Sequence, residues 1–333
     1  MMGRVSPPQS PPHTAPVATA PGYAFVITGV ALFSLNAGTS AVVLDGGVSP
    51  VALTAVRLVG TAVILGAALL LSGRVATLAV PRRQWPAIVA YGAGGVALVQ
   101  LAYFVAIDRL PIGLALLLEY TAPLIVALVA RFALRQQVSR LVWPALALTM
   151  LGLVLATRVE AGDRLDPVGV IAALVAALAF ATYFLLGERL VRDRDPLSTT
   201  FWGFAIAAVA TLVLASPSLL QAVRAVGSRT DLPPALGGGE VATGWLLLTV
   251  ILFGTLAPFA AATAALRYLP ATVVTVIATG EVVGAALVAW WWFGESLRLV
   301  QVAGFALVMA GVVLALLSRA GLGRPGRPDR AAS

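Results

Sequence analysis

Two glutamates stand alone inside long apolar segments of this sequence. Glu119 lies in the segment from 106 to 130, and Glu281 lies in the segment from 265 to 289. A charged carboxylate in the middle of a bilayer costs about 2.5–3.5 kcal/mol on insertion scales, so its presence there indicates a functional site. The chemistry that suits such a group is reversible proton binding or contact with a polar substrate. The alternative is a structural carboxylate that accepts hydrogen bonds from the end of a neighbouring helix.

The two segments are copies of each other at an offset of 159 residues. Leu110-Pro111 corresponds to Leu269-Pro270, and the stretch 146–156 corresponds to 305–315. The two glutamates are not at the same repeat position, because the counterpart of Glu119 is residue 278 and that of Glu281 is residue 122. Positions three apart share one face of a helix. We therefore expect both carboxylates to point into one central space.

The composition places these segments in a membrane. Of the 333 residues, 60% are hydrophobic and only 11% are charged, whereas globular domains average about 25% charged residues. The apolar residues come in runs of about 20, the length of a helix that crosses the hydrocarbon core. The predicted fold class is an all-α integral membrane protein. It has ten transmembrane helices, at about 23–43, 50–71, 85–107, 111–132, 141–157, 168–187, 197–215, 243–266, 270–293 and 299–317.

Ten helices in two copies means five helices per copy, and an odd number forces the two copies into opposite orientations. The predicted organisation is a disordered cytoplasmic tail (1–21), a first repeat (22–158), a second repeat (167–318) and a basic cytoplasmic tail (319–333). With both termini in the cytoplasm, fifteen arginines lie on the inner side and six on the outer side, which sets the orientation. Residues 188–195 are expected to form a charged loop, and residues 216–241 the longest loop.

The sequence resembles a known family at this point. The stretch ALRYLPATVVTVIATGEVVGAALVAWWWFGESL (265–297) is similar to the second repeat of EamA-type transporters, which belong to the drug/metabolite transporter superfamily. The segment LEYTAPLIVALVARFAL (118–134) resembles the first repeat. Val282 stands where the family usually has proline, and Arg135-Gln136 stands where it has a Gly-Glu pair. The resemblance implies inverted repeats, a central cavity open to alternating sides, and export or exchange of small metabolites such as amino acids.

Other polar and aromatic residues in the same helices complete the expected substrate cavity, although an aromatic residue in a membrane helix is more often a packing or interface residue. Arg57 is expected to form a structural ion pair with one of the glutamates; binding a substrate carboxylate is the alternative. Pro123, Gly254 and Pro258 are expected to act as bends or hinges, with tight packing as the alternative for the last two. The residues expected to contact substrate are Asn36, Gln100, Tyr103, Glu119, Tyr120, Tyr183, Trp202 and Glu281.

The predicted function is secondary transport in the plasma (inner) membrane of a bacterium. Export of a small polar metabolite, such as an amino acid or a related compound, with protons as the candidate coupling ion, is the main hypothesis. Export of cationic drugs and carriage of sugar phosphates or nucleotide sugars are alternatives, although only Arg57 is available at depth to bind a phosphate. The sequence predicts no cofactor, metal or nucleic-acid partner, and it predicts no enzyme, because it has no cysteine and its one histidine is His13 in the tail. A receptor or structural role stays open, as does the choice between monomer and homodimer.

Overall fold

The structure is a computed structural model that describes residues 19–157, 166–214 and 216–320. Most of the two predicted tails, and the predicted boundary between the repeats at 158–165, lie outside the described residues.

The described residues form an all-α arrangement of apolar helices. Nine of these helices are long and apolar enough to cross a membrane, and a shorter apolar helix is found at Val142–Ala156. In chain order they are α1 (Ala20–Asp45), α2 (Pro50–Leu71), α3 (Arg82–Arg109), α4 (Gly113–Ala133), α5 (Val142–Ala156), α6 (Pro167–Val191), α7 (Pro196–Leu214), α8 (Thr243–Ala265), α9 (Ala271–Phe293) and α10 (Leu299–Ala320).

Side-chain caps and prolines fix where two of these helices begin. Ser49 caps α2 by accepting a hydrogen bond from the amide of Ala52 at 3.3 Å, and Pro50 follows it at the first helical position. Asp166 caps α6 by accepting from the amides of Val168 and Gly169 at 2.8 and 3.0 Å. Both caps satisfy amides that have no partner within their helix.

The Asp166 cap gives a pH-dependent contribution to stability. The hydrogen bond from the Gly169 amide, helped by Val168 and the Arg109 guanidinium, holds the pKa of Asp166 below its usual range. A carboxyl group with a lowered pKa stabilises the fold fully above its ordinary pKa, and that contribution is lost as the pH falls through the lowered value. We expect Asp166→Ala to lower the thermal unfolding midpoint at neutral pH, and the difference from wild type to shrink in acid. Asp166→Asn keeps a neutral acceptor and is the control; a difference that grows in acid would contradict this account.

Four helices are interrupted, and the interruptions match between the halves of the chain. The α-helical pattern of α4 breaks between Glu119 and Ala122, and that of α9 breaks at Thr279, which is 159 residues after Tyr120. π-helical turns occur at Ala90–Ala97 in α3 and at Leu252–Leu256 in α8, again at overlapping repeat positions. In α8 the cause is Pro258, whose ring would clash with a carbonyl one turn earlier in a regular α-helix.

Two predicted loops are more ordered than the sequence indicated. The predicted loop from 188 is wrong in its first part, because α6 continues to Val191. The predicted long loop at 216–241 contains a short helix, Ser216–Ala225, and an antiparallel hairpin of β1 (Arg229–Asp231) and β2 (Glu240–Ala242). The Thr230 and Thr243 hydroxyls are hydrogen-bonded at 2.8 Å, which ties this hairpin to the start of α8.

Helices α5 and α10 pack with their backbones in contact. A Cβ atom added to Gly152 would lie 2.6 Å from the carbonyl oxygen of Gly304 and 2.7 Å from the amide of Val308. Small residues allow such an approach between membrane helices, where close packing is the main attractive force. We call this contact the α5–α10 seam.

The seam predicts that Gly152 does not tolerate a side chain. We expect Gly152→Ala to destabilise the protein by about 1–3 kcal/mol, because the neighbouring atoms are backbone and cannot rotate away. The measurement is the fraction of monodisperse protein that survives heating in detergent. Gly94→Ala is the control, because its added Cβ would be 3.9 Å from the nearest atom, a Thr182 methyl. Equal survival of the two variants would contradict the prediction.

The two ends of the helix bundle are packed differently. We call the end with loops 72–81, 134–141, 192–195 and 266–270 the arginine-rich end, and the end with loops 46–49 and 226–242 the hairpin end. Toward the arginine-rich end, one continuous core joins α3, α4, α6, α8 and α9. Toward the hairpin end, α1, α2 and α8 form one small core, while α3, α4 and α6 form others. Toward the hairpin end the core is therefore divided into smaller clusters.

Candidate functional site

The interruptions in α4 and α9 position the two glutamates. Glu119 is the last residue of the first half of α4, and Glu281 is the second residue of the second half of α9. At each break a threonine hydroxyl donates to a carbonyl three residues earlier: Thr121 to Leu118 and Thr279 to Val276, both at 2.6 Å. Each of these carbonyls also accepts the amide of the same threonine, at 3.1 Å for Leu118 and 3.3 Å for Val276, so the break is held by a tight local turn.

The structure brings the two carboxylates into one cluster with two tyrosines. Glu119 and Glu281 interact electrostatically with each other and with Tyr103. The Tyr120 side chain lies near Glu281 and interacts with its carboxylate. We call these four residues the carboxylate cluster. Two nearby carboxylates in a site of low dielectric constant favour sharing a proton or holding a cationic group.

Arg57 does not sit in a direct ion pair, which differs from the expectation. Its Nε donates to the Thr255 hydroxyl at 2.9 Å, and that hydroxyl in turn donates to the Val250 carbonyl at 3.0 Å. Arg57 interacts electrostatically with Glu281, but no salt bridge within 4.0 Å joins it to a carboxylate of the described residues. The π-helical turn of α8 holds Thr255 where the guanidinium meets it, and the sequence contained no signal for this contact.

The other polar candidates occupy helices around the cluster. Asn36 accepts a hydrogen bond from Ser40 at 3.2 Å, and its side chain lies against the backbone of Gly254, where any larger residue would collide with it. Gly254 is therefore a close-packing position within the π-helical turn. Gln100 is half-buried in α3, one turn from Tyr103. Pro123 directly follows the break in α4, at the second position of its second half.

Aromatic rings fill the space between the carboxylate cluster and the arginine-rich end. Tyr183 stacks on Tyr91 at 5.3 Å and meets Phe259 edge-to-face at 5.6 Å. Its hydroxyl is hydrogen-bonded to that of Thr263 at 3.0 Å, and only 2% of the residue is exposed. Tyr183 also lines the small cavity beside Glu281, so its contact with substrate stays a prediction. We call the rings of Phe33, Tyr91, Phe180, Tyr183, Phe184 and Phe259 the aromatic layer.

The cavity beside Glu281 is small. It has a volume of about 20 Å³ and is lined by Glu281, Ala278 and Val274 of α9 together with rings of the aromatic layer. This volume suits about one water molecule. An amino acid does not fit in it, so a path toward the arginine-rich end requires the aromatic layer to move.

Comparison with known proteins identifies the family of this chain. The sequence pattern of the EamA-like transporter family matches residues 20–158 and 167–317. The chain belongs to the EamA-like transporter family. It is therefore a multi-pass membrane protein of a transporter family.

Relatives of this EamA-family chain have been described in both bacteria and archaea. An uncharacterised transporter of Archaeoglobus fulgidus is 27% identical over 64% of this chain and 70% of its own length. The uncharacterised transporter YwfM of Bacillus subtilis is 26% identical over 88% of this chain and 93% of its own length. The threonine/homoserine exporter RhtA of Escherichia coli K12 is 29% identical over 62% of this chain and 63% of its own length.

A solved crystal structure shares the fold. It superposes with a TM-score of 0.70 over 92% of this EamA-family chain and 99% of its own chain, at 20% sequence identity. This likeness supports the fold alone.

Trp202 lies at the arginine-rich end in this EamA-family chain. Its indole N–H donates to the Leu78 carbonyl at 3.0 Å, and its ring meets Trp85 edge-to-face at 5.0 Å. Leu78 belongs to the loop between α2 and α3. These contacts make Trp202 an anchor for that loop, and its contact with substrate stays a prediction.

Glu188 is a buried carboxylate that the sequence prediction placed in a loop. It lies in the last turn of α6 and is 8% exposed. One oxygen accepts from the Ala271 amide at 2.8 Å, and the other accepts from Arg192 at 2.7 Å. Ala271 is the first residue of α9, so Glu188 caps the helix that carries Glu281. The only sequence signal for this contact was Pro270. Proline at this position cannot cap α9 with its side chain, so the first amides of α9 need an acceptor from elsewhere.

No group of three or more histidine, aspartate or glutamate side chains suited to a metal occurs among the residues the structure describes.

Proposed function

We propose that this protein is a secondary transporter that exports a small polar metabolite, such as an amino acid, by alternating access with proton coupling. The observation that carries this proposal is the carboxylate cluster. It combines two membrane-embedded glutamates, each beside the break of a matching helix. Toward the arginine-rich end it is followed by the tightly packed aromatic layer.

The proposed architecture is ten helices in two inverted five-helix repeats, at 22–158 and 167–318. Its support is that helix contacts occur in matching pairs: α1 packs on α8 and α9, as α6 packs on α3 and α4. The contacts of α2 with α7 and of α5 with α10 each join equivalent helices of the two halves. The proposed setting is a bacterial inner membrane with both termini in the cytoplasm, because arginines concentrate at one end.

In this proposal the structure is the outward-facing closed-inside state. The aromatic layer and the Glu188 cap both lie between the carboxylate cluster and the arginine-rich end, which is the cytoplasmic end. Inward opening must separate α6 from the start of α9, so it must break the Ala271–Glu188 hydrogen bond. Protonation of Glu119 or Glu281 then changes the relative stability of the two states, since a neutral carboxyl group crosses a dry environment at lower cost.

The proposed substrate class has two sources of support. The relative named as a threonine/homoserine exporter favours an amino acid. The cluster supplies two carboxylates for an ammonium group, and Arg57 lies near Glu281 for a group of opposite charge. Cationic compounds are a second candidate, because the two carboxylates outnumber the single guanidinium held at that depth by the described helices.

The test is solute-dependent proton movement in protein purified in detergent, with threonine and homoserine screened first. We expect proton release or uptake on solute addition, and loss of that signal in Glu119→Gln or Glu281→Gln. Two results together would contradict proton coupling. They are solute binding without any proton signal, and transport into liposomes that does not depend on a proton gradient. If no amino acid binds and organic cations do, the proposed substrate class is wrong and cationic compounds take its place.

A further inference from the structure

A basic pocket at the arginine-rich end is separate from the carboxylate cluster. It has a volume of about 310 Å³ and is lined by Arg83, Gln84, Ala87, Arg189, Leu190 and Asp193. Arg83 lies in the first turn of α3, and Arg189 lies in the last turns of α6. Two helices that are far apart in sequence therefore each contribute one guanidinium to the same pocket.

The two guanidinium groups are not used to hold the fold. Neither Arg83 nor Arg189 takes part in a salt bridge within the described residues. By contrast, the neighbouring Arg192 pairs with Glu188, and Arg194 is buried with bonds to the Ala79 carbonyl and the Ser198 hydroxyl. The Gln84 carbonyl oxygen accepts from Arg194 at 3.2 Å, which leaves its NH₂ group as a further donor.

The charge of the pocket favours an anion. Its lining contains two positive groups and one carboxylate, Asp193, so it carries a net positive charge. A pair of guanidinium groups with an amide donor matches the oxygens of a phosphate, which arginine binds through two parallel hydrogen bonds. The negative charge of Asp193 repels a ligand that carries several negative charges. A phosphodiester carries only one, so it is compatible with Asp193.

The position of the pocket indicates where this phosphate comes from. Trp85 is two residues after Arg83 and is 37% exposed, and Val89 one turn further is 46% exposed. Exposed tryptophan marks the membrane–water interface, and the exposed apolar face beyond it meets the acyl chains. The guanidinium groups of Arg83 and Arg189 therefore stand at headgroup level. Ala87 and Leu190 give the pocket an apolar wall on which a lipid glycerol backbone can rest.

We propose that this pocket binds the headgroup of an anionic phospholipid, with Arg83 and Arg189 holding its phosphate. The proposal rests on the pocket alone and stands whether or not the protein moves solutes. Basic pockets between membrane helices on the cytoplasmic side suit such headgroups, and each arginine near the surface contributes about 1 kcal/mol. Removing both should weaken phosphatidylglycerol binding roughly 30-fold.

The test is titration of the purified full chain with phosphatidylglycerol or phosphatidylcholine, followed through the thermal unfolding midpoint. We expect phosphatidylglycerol to raise the midpoint of wild type more than phosphatidylcholine does. The Arg83→Gln/Arg189→Gln double variant should lose this difference. Arg82→Gln, which removes a neighbouring charge outside the pocket lining, should keep it.

Three results would overturn the proposal. The first is an unchanged phosphatidylglycerol effect in the double variant. The second is an equal loss of the effect in Arg82→Gln, which would show only general attraction to a basic surface. The third is the same stabilisation by inorganic phosphate without lipid, which would make the pocket a site for a soluble anion.

Discussion

Replacing Glu188 with alanine is expected to open the arginine-rich end of the protein. The Ala271 amide, now buried and capped by Glu188, would lose its acceptor. An unsatisfied buried donor costs about 1–3 kcal/mol, which shifts a two-state equilibrium roughly 5- to 150-fold. The state in which α6 and α9 have separated would gain that advantage, because water reaches the amide there.

The measurement uses the absence of cysteine from the chain. Leu266→Cys introduces a single thiol beside Gly187, at the contact between α6 and the end of α8. We expect a membrane-impermeant maleimide applied from the arginine-rich end to label this thiol roughly 5- to 150-fold faster in the Glu188→Ala background.

Two matched variants separate the cap from the ion pair. Glu188→Gln keeps an acceptor for the Ala271 amide and should label more slowly than Glu188→Ala. Arg192→Gln removes only the ion pair, and Arg192 has a side chain that is 63% exposed, so little change is expected. Equal labelling rates in wild type and Glu188→Ala would show that the cap does not hold this end closed.

Glutamine at Glu281 or Glu119 is expected to abolish accumulation driven by a proton gradient. Glutamine has nearly the same shape as a protonated glutamate but cannot release a proton. If charging the carboxylate costs about 2.5–3.5 kcal/mol at this depth, fixing the neutral form removes an effect of roughly 100-fold on the balance between states. Exchange of solute for solute, which needs no change of protonation, should continue.

Two assays in proteoliposomes are compared. The first measures solute uptake with and without an imposed pH gradient, and the second measures exchange of solute for solute at the same pH on both sides. Glu295→Gln is the control, because this glutamate is exposed in the loop after α9. Normal gradient-driven transport and an unchanged pH dependence in both Glu119→Gln and Glu281→Gln would refute the coupling mechanism and return the two glutamates to a structural role.

The sequence predicted the helices well wherever local signals mark their ends. The predicted bounds of α2 agree with the structure because Ser49 and Pro50 form a start signal that depends only on neighbouring residues. The end of α6 was misjudged because Gly187, Glu188 and Arg189 read as loop residues. The Glu188–Arg192 pair, four residues apart, is a local helix signal that the prediction missed, whereas the contact of Glu188 with Ala271, 83 residues away, is one that no local pattern encodes.

The candidate site was predictable in part for the same reason. Residue spacing on repeated helices was enough to expect Glu119 and Glu281 in one space, and the structure places them together. The partner of Arg57 was not predictable, since the π-helical turn of α8 decides where Thr255 points. The packing partners of Tyr183 and Trp202 were not predictable either, because the ring stacking of Tyr183 and the bond from Trp202 to the Leu78 carbonyl depend on tertiary contacts.

The α5–α10 seam has a consequence for how the two halves can move. A Cβ atom added to Gly152 would lie 2.6 Å from the backbone of α10. At this distance the two helices have no room to slide along each other or to rotate against each other. Each half of the chain contributes one helix to this contact, so if the protein works by alternating access as proposed, we expect the seam to stay fixed while the remaining helices move around it. Distances measured from labels on α5 and α10 should therefore stay constant through a cycle and provide a fixed reference frame for every other motion.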